Sequence, residues 1–376
     1  MDNHLIKLCE SNLSAGGKTF SCVYVLLLLV FIYAECLFAF QPGTISGSVT
    51  DKQSAEPIPG VHVYLSQTTI GSVSAADGTF SFDTKLDGQY MLVFSFIGYK
   101  THMISVQLGG GGSIIFDIEL EPEALQMEAL EVRASNREWQ QNFDEFQRHF
   151  IGSTQFSADT KIINPWIVDI TRDEEGNLVA SASQPLYITN KALGYDLHID
   201  LVEFKWNRSG ISGFYTFYSR FREMEPENNR QQRDWIRNRA EAYRGSFSHF
   251  LQSLINNNLS RHRFEIVIQN TTQRTEIERL TMLDMRRLAG YSPASGAETG
   301  EKLMGFRLRQ PVDVLYGRRT QLSDSRSRSR LVPINESGIF MITENGKLYD
   351  PVSLRIDGAW SYERVANLLP DDYQND

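Results

Sequence analysis

Apolar and polar positions fall into three regimes along this chain. The first is a charge-free, mostly apolar run at 20–34, with Lys18 before it and Glu35 after it. The second, 44–120, breaks into seven short runs at 44–50, 60–66, 69–74, 79–83, 89–97, 101–108 and 113–120, several of them alternating with a period of two. In the last run Ile114, Phe116, Ile118 and Leu120 share one face and Asp117 and Glu119 the other, the pattern of a strand with one buried side. Turn chemistry separates the runs: Pro57-Ile58-Pro59-Gly60, Asp77-Gly78, Asp87-Gly88, Gly98-Tyr99 and the glycines from Gly109 to Gly112. Turn signals about every ten residues predict an all-β sandwich.

The third regime, 137–376, mixes periods. Trp139, Phe143, Phe146 and Phe150 mark one face of a helix at 137–150. Strands are predicted at 178–182, 186–189, 193–205 and 213–218. A second helix at 230–255 carries an apolar stripe of Ile236, Ala240, Tyr243, Phe247, Phe250 and Leu254. Gly245 in its middle costs ~1 kcal/mol relative to alanine, which predicts a kink or a close contact there. Further strands fall at 264–268, 304–309, 312–316, 338–343 and 348–356, and a short helix at 362–368. The Arg326, Arg328, Arg330 cluster reads as a solvated basic loop. The predicted fold class is therefore mainly β: an N-terminal seven-stranded Greek-key β-sandwich, then a larger α+β body rich in antiparallel strands.

Two resemblances sharpen this reading. Gly47-x-Val49-x-Asp51, Pro57-Ile58-Pro59-Gly60-Val61-x-Val63, Asp77-Gly78-x-Phe80-x-Phe82, Gly88-x-Tyr90-x-Leu92 and Ser95-x-x-Gly98-Tyr99 occur in the order that resembles the carboxypeptidase regulatory-like domain. That module is transthyretin-like, and it implies an accessory role rather than the zinc-bearing catalytic domain. Asn164-Pro165, Pro185-Leu186-x-Ile188-x-Asn190-x-x-Leu193-Gly194-Tyr195, and Asn238-Arg239 through His249-Phe250 resemble the body of Bacteroidetes-type envelope proteins. That likeness implies a location and an architecture but no active site. Between the two lies an acidic linker at 121–136. Its segment 127–132 is similar to the one that follows this sandwich in TonB-dependent outer-membrane transporters. Residues 137–376 are too few for a plug and a 22-stranded barrel at ~10 residues per strand, so a linker is expected.

Composition adds an address and an exclusion. The net charge of -9 lacks the basic footprint of a nucleic-acid binder. A membrane span needs ~20 apolar residues and a signal-peptide core ~7–15, so 1–39 reads as a signal peptide cleaved after Ala39, with an uncleaved N-terminal anchor as the alternative. Either form associates the chain with the envelope: exported, and periplasmic, outer-membrane-associated or extracellular. Cys9, Cys22 and Cys36 all precede the cleavage point, which leaves no disulfide or thiolate chemistry in the mature chain. Lipidation at Cys36 is disfavoured by Glu35 before it. The expected domains are thus 1–39, the sandwich 40–120, the linker 121–136 and the body 137–376.

Catalytic signatures are sparse. There is no His-Glu-x-x-His and no Gly-x-Ser-x-Gly elbow. A zinc carboxypeptidase site, which needs a His-x-x-Glu pair and a distant histidine, is not expected, nor is any cofactor. Asp196, His198 and Asp200 alternate along one strand face, but their span of ~13 Å keeps them from gripping one ion. They read as the polar face of an amphipathic strand. Ser246 and His249 sit one helical turn apart and read as a structural pair, and Asp77-Gly78 as a tight turn rather than a calcium loop. The functional expectation is a non-enzymatic envelope interaction or scaffold protein that binds a protein or glycan. Trp206, Tyr215 and Tyr218 are the candidate contact residues, with Tyr215 and Tyr218 on opposite faces of one strand. The alternative is a hydrolase with its site in 161–255, centred on His198 or His249.

Overall fold

Seven strands make up the N-terminal unit of the computed structural model, which describes residues 42–109, 111–123, 137–209, 212–289, 303–317, 328–350 and 353–374. They are β1 (Gly43–Asp51), β2 (His62–Leu65), β3 (Gly71–Val73), β4 (Thr79–Thr84), β5 (Gly88–Ser95), β6 (His102–Leu108) and β7 (Ser113–Leu120). Sheet β4-β1-β7 faces sheet β3-β2-β5-β6, and β1 and β7 run parallel. Val49, Val63, Leu65, Leu92, Phe94 and Leu120 fill the space between the sheets. The Asp77-Gly78 turn is built as its chemistry demands. Asp77 accepts the Thr79 amide at 3.0 Å and its hydroxyl at 2.7 Å. Gly78 has a φ of 76°, and a Cβ there would lie 2.6 Å from the Val49 carbonyl oxygen. The expected signal peptide and most of the expected acidic linker lie outside the described residues.

The body has two principal cores. Around the first, helix α1 (Arg137–Ile151) lays Trp139, Phe143, Phe146 and Phe150 on a six-stranded sheet. Its strands are β8 (Thr160–Ile162), β9 (Val168–Arg172), β10 (Leu178–Ala182), β11 (Leu186–Asn190), β12 (Tyr195–Trp206) and β13 (Gly213–Glu223). The long β12 organises this sheet. One edge pairs first with β11 and then with β10, and the other edge pairs with β13 throughout. Leu201 faces Phe217 while Glu203 faces Thr216, so Val202 is an inserted bulge residue. The insertion moves the buried set from odd positions (Leu197, Ile199, Leu201) to even ones (Phe204, Trp206) without turning the strand over.

Helix α2 (Asn229–Tyr243) sends Ala242 into the first core. The second core lies among helix α3 (Phe247–Ile255), β14 (Phe264–Ile268), β15 (Glu278–Arg279), β16 (Leu303–Arg307), β17 (Val312–Tyr316), β18 (Arg328–Pro333), β19 (Ile339–Thr343) and β20 (Leu354–Gly358). Met285 of helix α4 (Met282–Ala289) packs beside it with Leu303 and Ile339. These strands form sheets β14-β17-β18-β20 and β15-β16-β19.

Four local expectations change here. The helix at 230–255 is two helices, because Gly245 takes a φ of 84° and packs so closely on Tyr316 that a Cβ would lie 2.5 Å from its ring. The buried stripe of α2 is also rotated: Ile236 is 58% exposed, and Trp235 is buried with its Nε1 donating to the Lys191 carbonyl at 2.8 Å. A tertiary hydrogen bond from the large indole outweighs local apolar spacing. The helix at 362–368 is two short 3-10 turns, Ala359–Tyr362 and Val365–Asn367. Finally, Arg328 and Arg330 do not float in a loop. They lie on β18 and both pair with the fully buried Asp313, Arg330 at 2.9 Å.

Gly78→Val is expected to destabilise the sandwich by about 1–3 kcal/mol, because it forces a β-branched residue into positive φ against the Val49 carbonyl. A urea melt followed on the sandwich signal checks this, and an unchanged midpoint contradicts the turn assignment.

Candidate functional site: a polar seam and the cleft beside it

The alternation along β12 places Asp196, His198 and Asp200 on one face, and the sandwich covers that face. Asp200 Oδ2 accepts the Tyr64 hydroxyl at 2.5 Å, and its Oδ1 accepts Ser95 at 3.1 Å and Thr101 at 3.3 Å. All three donors come from the sandwich. Burial pushes the Asp200 pKa up, partly countered by these hydroxyls. Burial, with the Asp200 charge adding to it, also raises the Tyr64 phenol well above its ordinary value. His198 lies edge-on to Tyr187 at 4.6 Å and to His62 at 5.6 Å. Arg220 Nη1 lies 2.7 Å from His62 Nδ1. Guanidinium can only donate, so the His62 proton sits on Nε2. Burial first, and then His62 and Arg220, lower the His198 pKa to about 4. Asp196, at the outer end, pairs with Arg222 at 2.7 Å.

Backbone pairing reinforces the seam. The Gln67 amide donates to Ser219 O at 2.6 Å and the Phe221 amide to Thr68 O at 3.0 Å, so the turn after β2 extends the sheet beyond β13. A downstream segment then laces the same turn. The Asp371 amide donates to Gln67 O at 2.7 Å, and the Thr69 amide to Asp372 Oδ1 at 3.0 Å. Lys347 ion-pairs with Asp371 and donates to Gln67 Oε1 at 3.0 Å.

Where sandwich, helices and downstream segment meet, a cleft of about 720 Å³ opens, within the ~300–1,000 Å³ of small-molecule sites. Tyr90 and Asp87 line it from the sandwich, Tyr243 and Gln252 from α2 and α3, and Asn345, Lys347, Glu363, Asp371 and Tyr373 from the remainder. The Tyr243 and Tyr373 rings stand 6.1 Å apart. Burial raises Glu363 to about 8, against the opposing effect of a hydrogen bond from the Phe247 amide at the start of α3. Its carboxyl is therefore largely protonated near neutrality and can donate as well as accept.

The residues singled out in sequence go to different places. Trp206 is only 4% exposed, stacked on His149 and Phe204, and this corrects its assignment as a contact residue. Its spacing on β12 would have left it outside, but the Val202 bulge turns it inward. Tyr215 is half-buried over the first core, stacked on Phe204 and Phe217. Tyr218, half-buried on the other face, borders a cleft of about 390 Å³ between sandwich and sheet that also takes in Asp200 and Ile97. His249 is buried beside Tyr243. The Gly245 amide donates to its Nδ1 at 3.0 Å, which leaves the proton on Nε2, 2.9 Å from His262 Nδ1. Burial, with His262 and Arg244 beside it, lowers the His249 pKa to about 4. Ser246 Oγ accepts the His249 backbone amide at 3.1 Å and caps α3, so it does not address the imidazole. Contrary to expectation, His262-x-x-Glu265 has the spacing of a zinc pair. Glu265 is held by Arg274 and His262 by His249, and no trio of His, Cys, Asp or Glu among the described residues is placed to hold a metal.

Comparison with known proteins fits the first of these folds. Residues 45–132 match the family described as the CarboxypepD_reg-like domain, and the chain carries that domain. TonB-dependent receptor P39 of Formosa agariphila is 29% identical over 114 residues, covering 30% of this chain and 10% of that protein. TonB-dependent receptor P3 of the same organism is 26% identical over 99 residues, 26% of this chain and 9% of that protein. The chain thus spans about a tenth of the length of these curated relatives. Among solved structures, a type II cohesin-X-dockerin complex from Acetivibrio cellulolyticus covers 31% of this chain and 83% of its own at 20% identity, with a TM-score of 0.21. A putative membrane-associated protein of unknown function from Bacteroides fragilis covers 85% of this chain and 98% of its own at 9% identity, with a TM-score of 0.19.

Two opposite pH dependences follow. His198 has a lower pKa folded than unfolded, so its contribution to stability is lost as pH falls from about 6.5 toward about 4. Relative to wild type, His198→Phe is expected to lose less thermal stability across that interval; parallel curves would place His198 outside a desolvated seam. Glu363 has a raised pKa, so its contribution is present at low pH and is lost as pH rises from about 4.5 toward about 8. Glu363→Gln is expected to flatten the decline over that window, and melting temperatures from pH 4.5 to 8.5 read the difference.

Proposed function

We propose that this protein is an exported, non-catalytic component of the cell envelope, and that it binds a glycan in the cleft between its regulatory-like domain and its body. The observation that carries this reading is the lining of that cleft. Tyr243 and Tyr373 offer apolar ring faces, and Asp87, Gln252, Asn345, Lys347 and Asp371 surround them with donors and acceptors. Sugars present C–H faces beside hydroxyls that both donate and accept, and rings edged by amides and carboxyls answer both needs. The accessory domain supplies one wall, which gives it a mechanical reason to be fixed rather than tethered. The charge-free run at 20–34 and the sequence similarity to TonB-dependent receptors support the envelope location.

A hydrolase centred on His198 or His249 gains no support from geometry. His198 is closed in by Tyr187 and His62, and both ring nitrogens of His249 are already engaged.

Titration calorimetry with purified envelope oligosaccharides tests the reading. At least one is expected to bind, and Tyr373→Ala combined with Gln252→Ala should weaken it about tenfold, ~1.4 kcal/mol. The bound sugar should be recovered uncleaved. Binding that ignores both substitutions, or release of new reducing ends, would contradict the proposal.

A further inference from the structure

The outer edge of β13 is used over only half its length. Ser219 and Phe221 direct their backbone groups away from β12 and bond to Gln67 and Thr68. By strand alternation Gly213, Tyr215 and Phe217 point their amides and carbonyls the same way. No partner among the described residues meets them. Native proteins protect such an edge with charge, proline or a cover. Here there is none of the first two: no charged residue and no proline lies between Arg208 and Arg220. Phe214, 47% exposed, and Thr216 project from one face of this stretch.

We infer that the edge at 213–217 pairs antiparallel with the same edge of a second copy of the chain, joining two β12–β13 sheets across a two-fold axis. With the axis at Tyr215, that residue faces its own copy in a hydrogen-bonded pair. Gly213 faces the partner's Phe217, and Phe214 faces the partner's Thr216. Aromatic against β-branched is a favourable cross-strand pair, while the face of Gly213 is already covered by the Trp206 ring of its own chain. A two-fold axis brings residues near it close to their own copies, so charge there would repel. The uncharged stretch removes that obstacle and singles out self-pairing over a charged partner strand. The register also ends where it must. The Asn207 amide closes the preceding turn on Ser212 O at 2.8 Å, so the second copy turns back toward its own β12 before reaching Gln67. The intramolecular pairing at Ser219 and Phe221 is the start of the same interface, continued between molecules.

Sedimentation velocity of the purified protein over a concentration series tests this, together with hydrogen exchange at the two ends of the series. The expected result is a reversible monomer–dimer equilibrium. The Tyr215 and Phe217 amides should exchange at least ~tenfold more slowly at high concentration, while that of Phe221 stays protected throughout. Phe214→Lys with Thr216→Lys places lysine opposite lysine and should leave a monomer with an unchanged melting temperature. A wild type that remains monomeric, a dimer that persists in the double variant, association beyond the dimer, or concentration-independent exchange at Tyr215 and Phe217 would each overturn the inference. If the double variant fails to fold, the exchange measurement on wild type decides alone.

Discussion

A carboxylate taken out of water must find its hydrogen-bond donors elsewhere, and Asp200 finds its donors in the other domain. Tyr64, Ser95 and Thr101 approach it from the sandwich, while the carboxylate itself belongs to the central strand of the body. Removing one side of such an arrangement leaves buried polar groups unmatched, which is far more costly than the net gain of forming it. The seam therefore specifies one relative placement of the two domains and penalises others. His62 extends the same logic, bringing a sandwich imidazole against His198 and Arg220 of the body.

That placement has further effects on the molecule. With the sandwich fixed on β12, its turn at Gln67 and Thr68 becomes a strand-like extension beyond β13, and its β5 end becomes a wall of the cleft. The cleft is thus a property of the docked pair, since its lining combines Tyr90 of the sandwich core with Ala242 of the first body core and Trp360 of the second. Likewise the Val202 bulge, a single inserted residue, keeps Phe204 and Trp206 inward under α1, so the aromatic mass of the body is spent on cohesion.

How much of this was legible in the sequence depends on the range of the interaction that fixes each element. The alternation of β7 and the Trp139, Phe143, Phe146, Phe150 stripe of α1 are local patterns, and they read correctly. The shared face of Asp196, His198 and Asp200 was legible too, but its cover was not: Tyr64 lies 136 positions away and carries no sequence mark of its partner. Trp235 displaced Ile236 from the buried face because of one carbonyl on a distant loop. Arg328 and Arg330 looked like a solvated run because nothing local betrays that Asp313 on the neighbouring strand is buried. Glu363 had no readable signal, since its burial and its bond from the Phe247 amide come from tertiary packing rather than from its neighbours in the chain.

The lacing by Asp371 and Asp372 also sets an order of assembly. Thr69 and Asp372 are 303 positions apart, so the sandwich is complete as a chain long before the segment that fastens it exists. Closing a loop of that length adds little entropy beyond a shorter one, because the cost grows only with the logarithm of length. The delay is therefore one of time rather than of free energy. During synthesis the sandwich emerges with Tyr64 and His62 still facing water. It then acquires its final bearings only when the segment 303 positions downstream arrives.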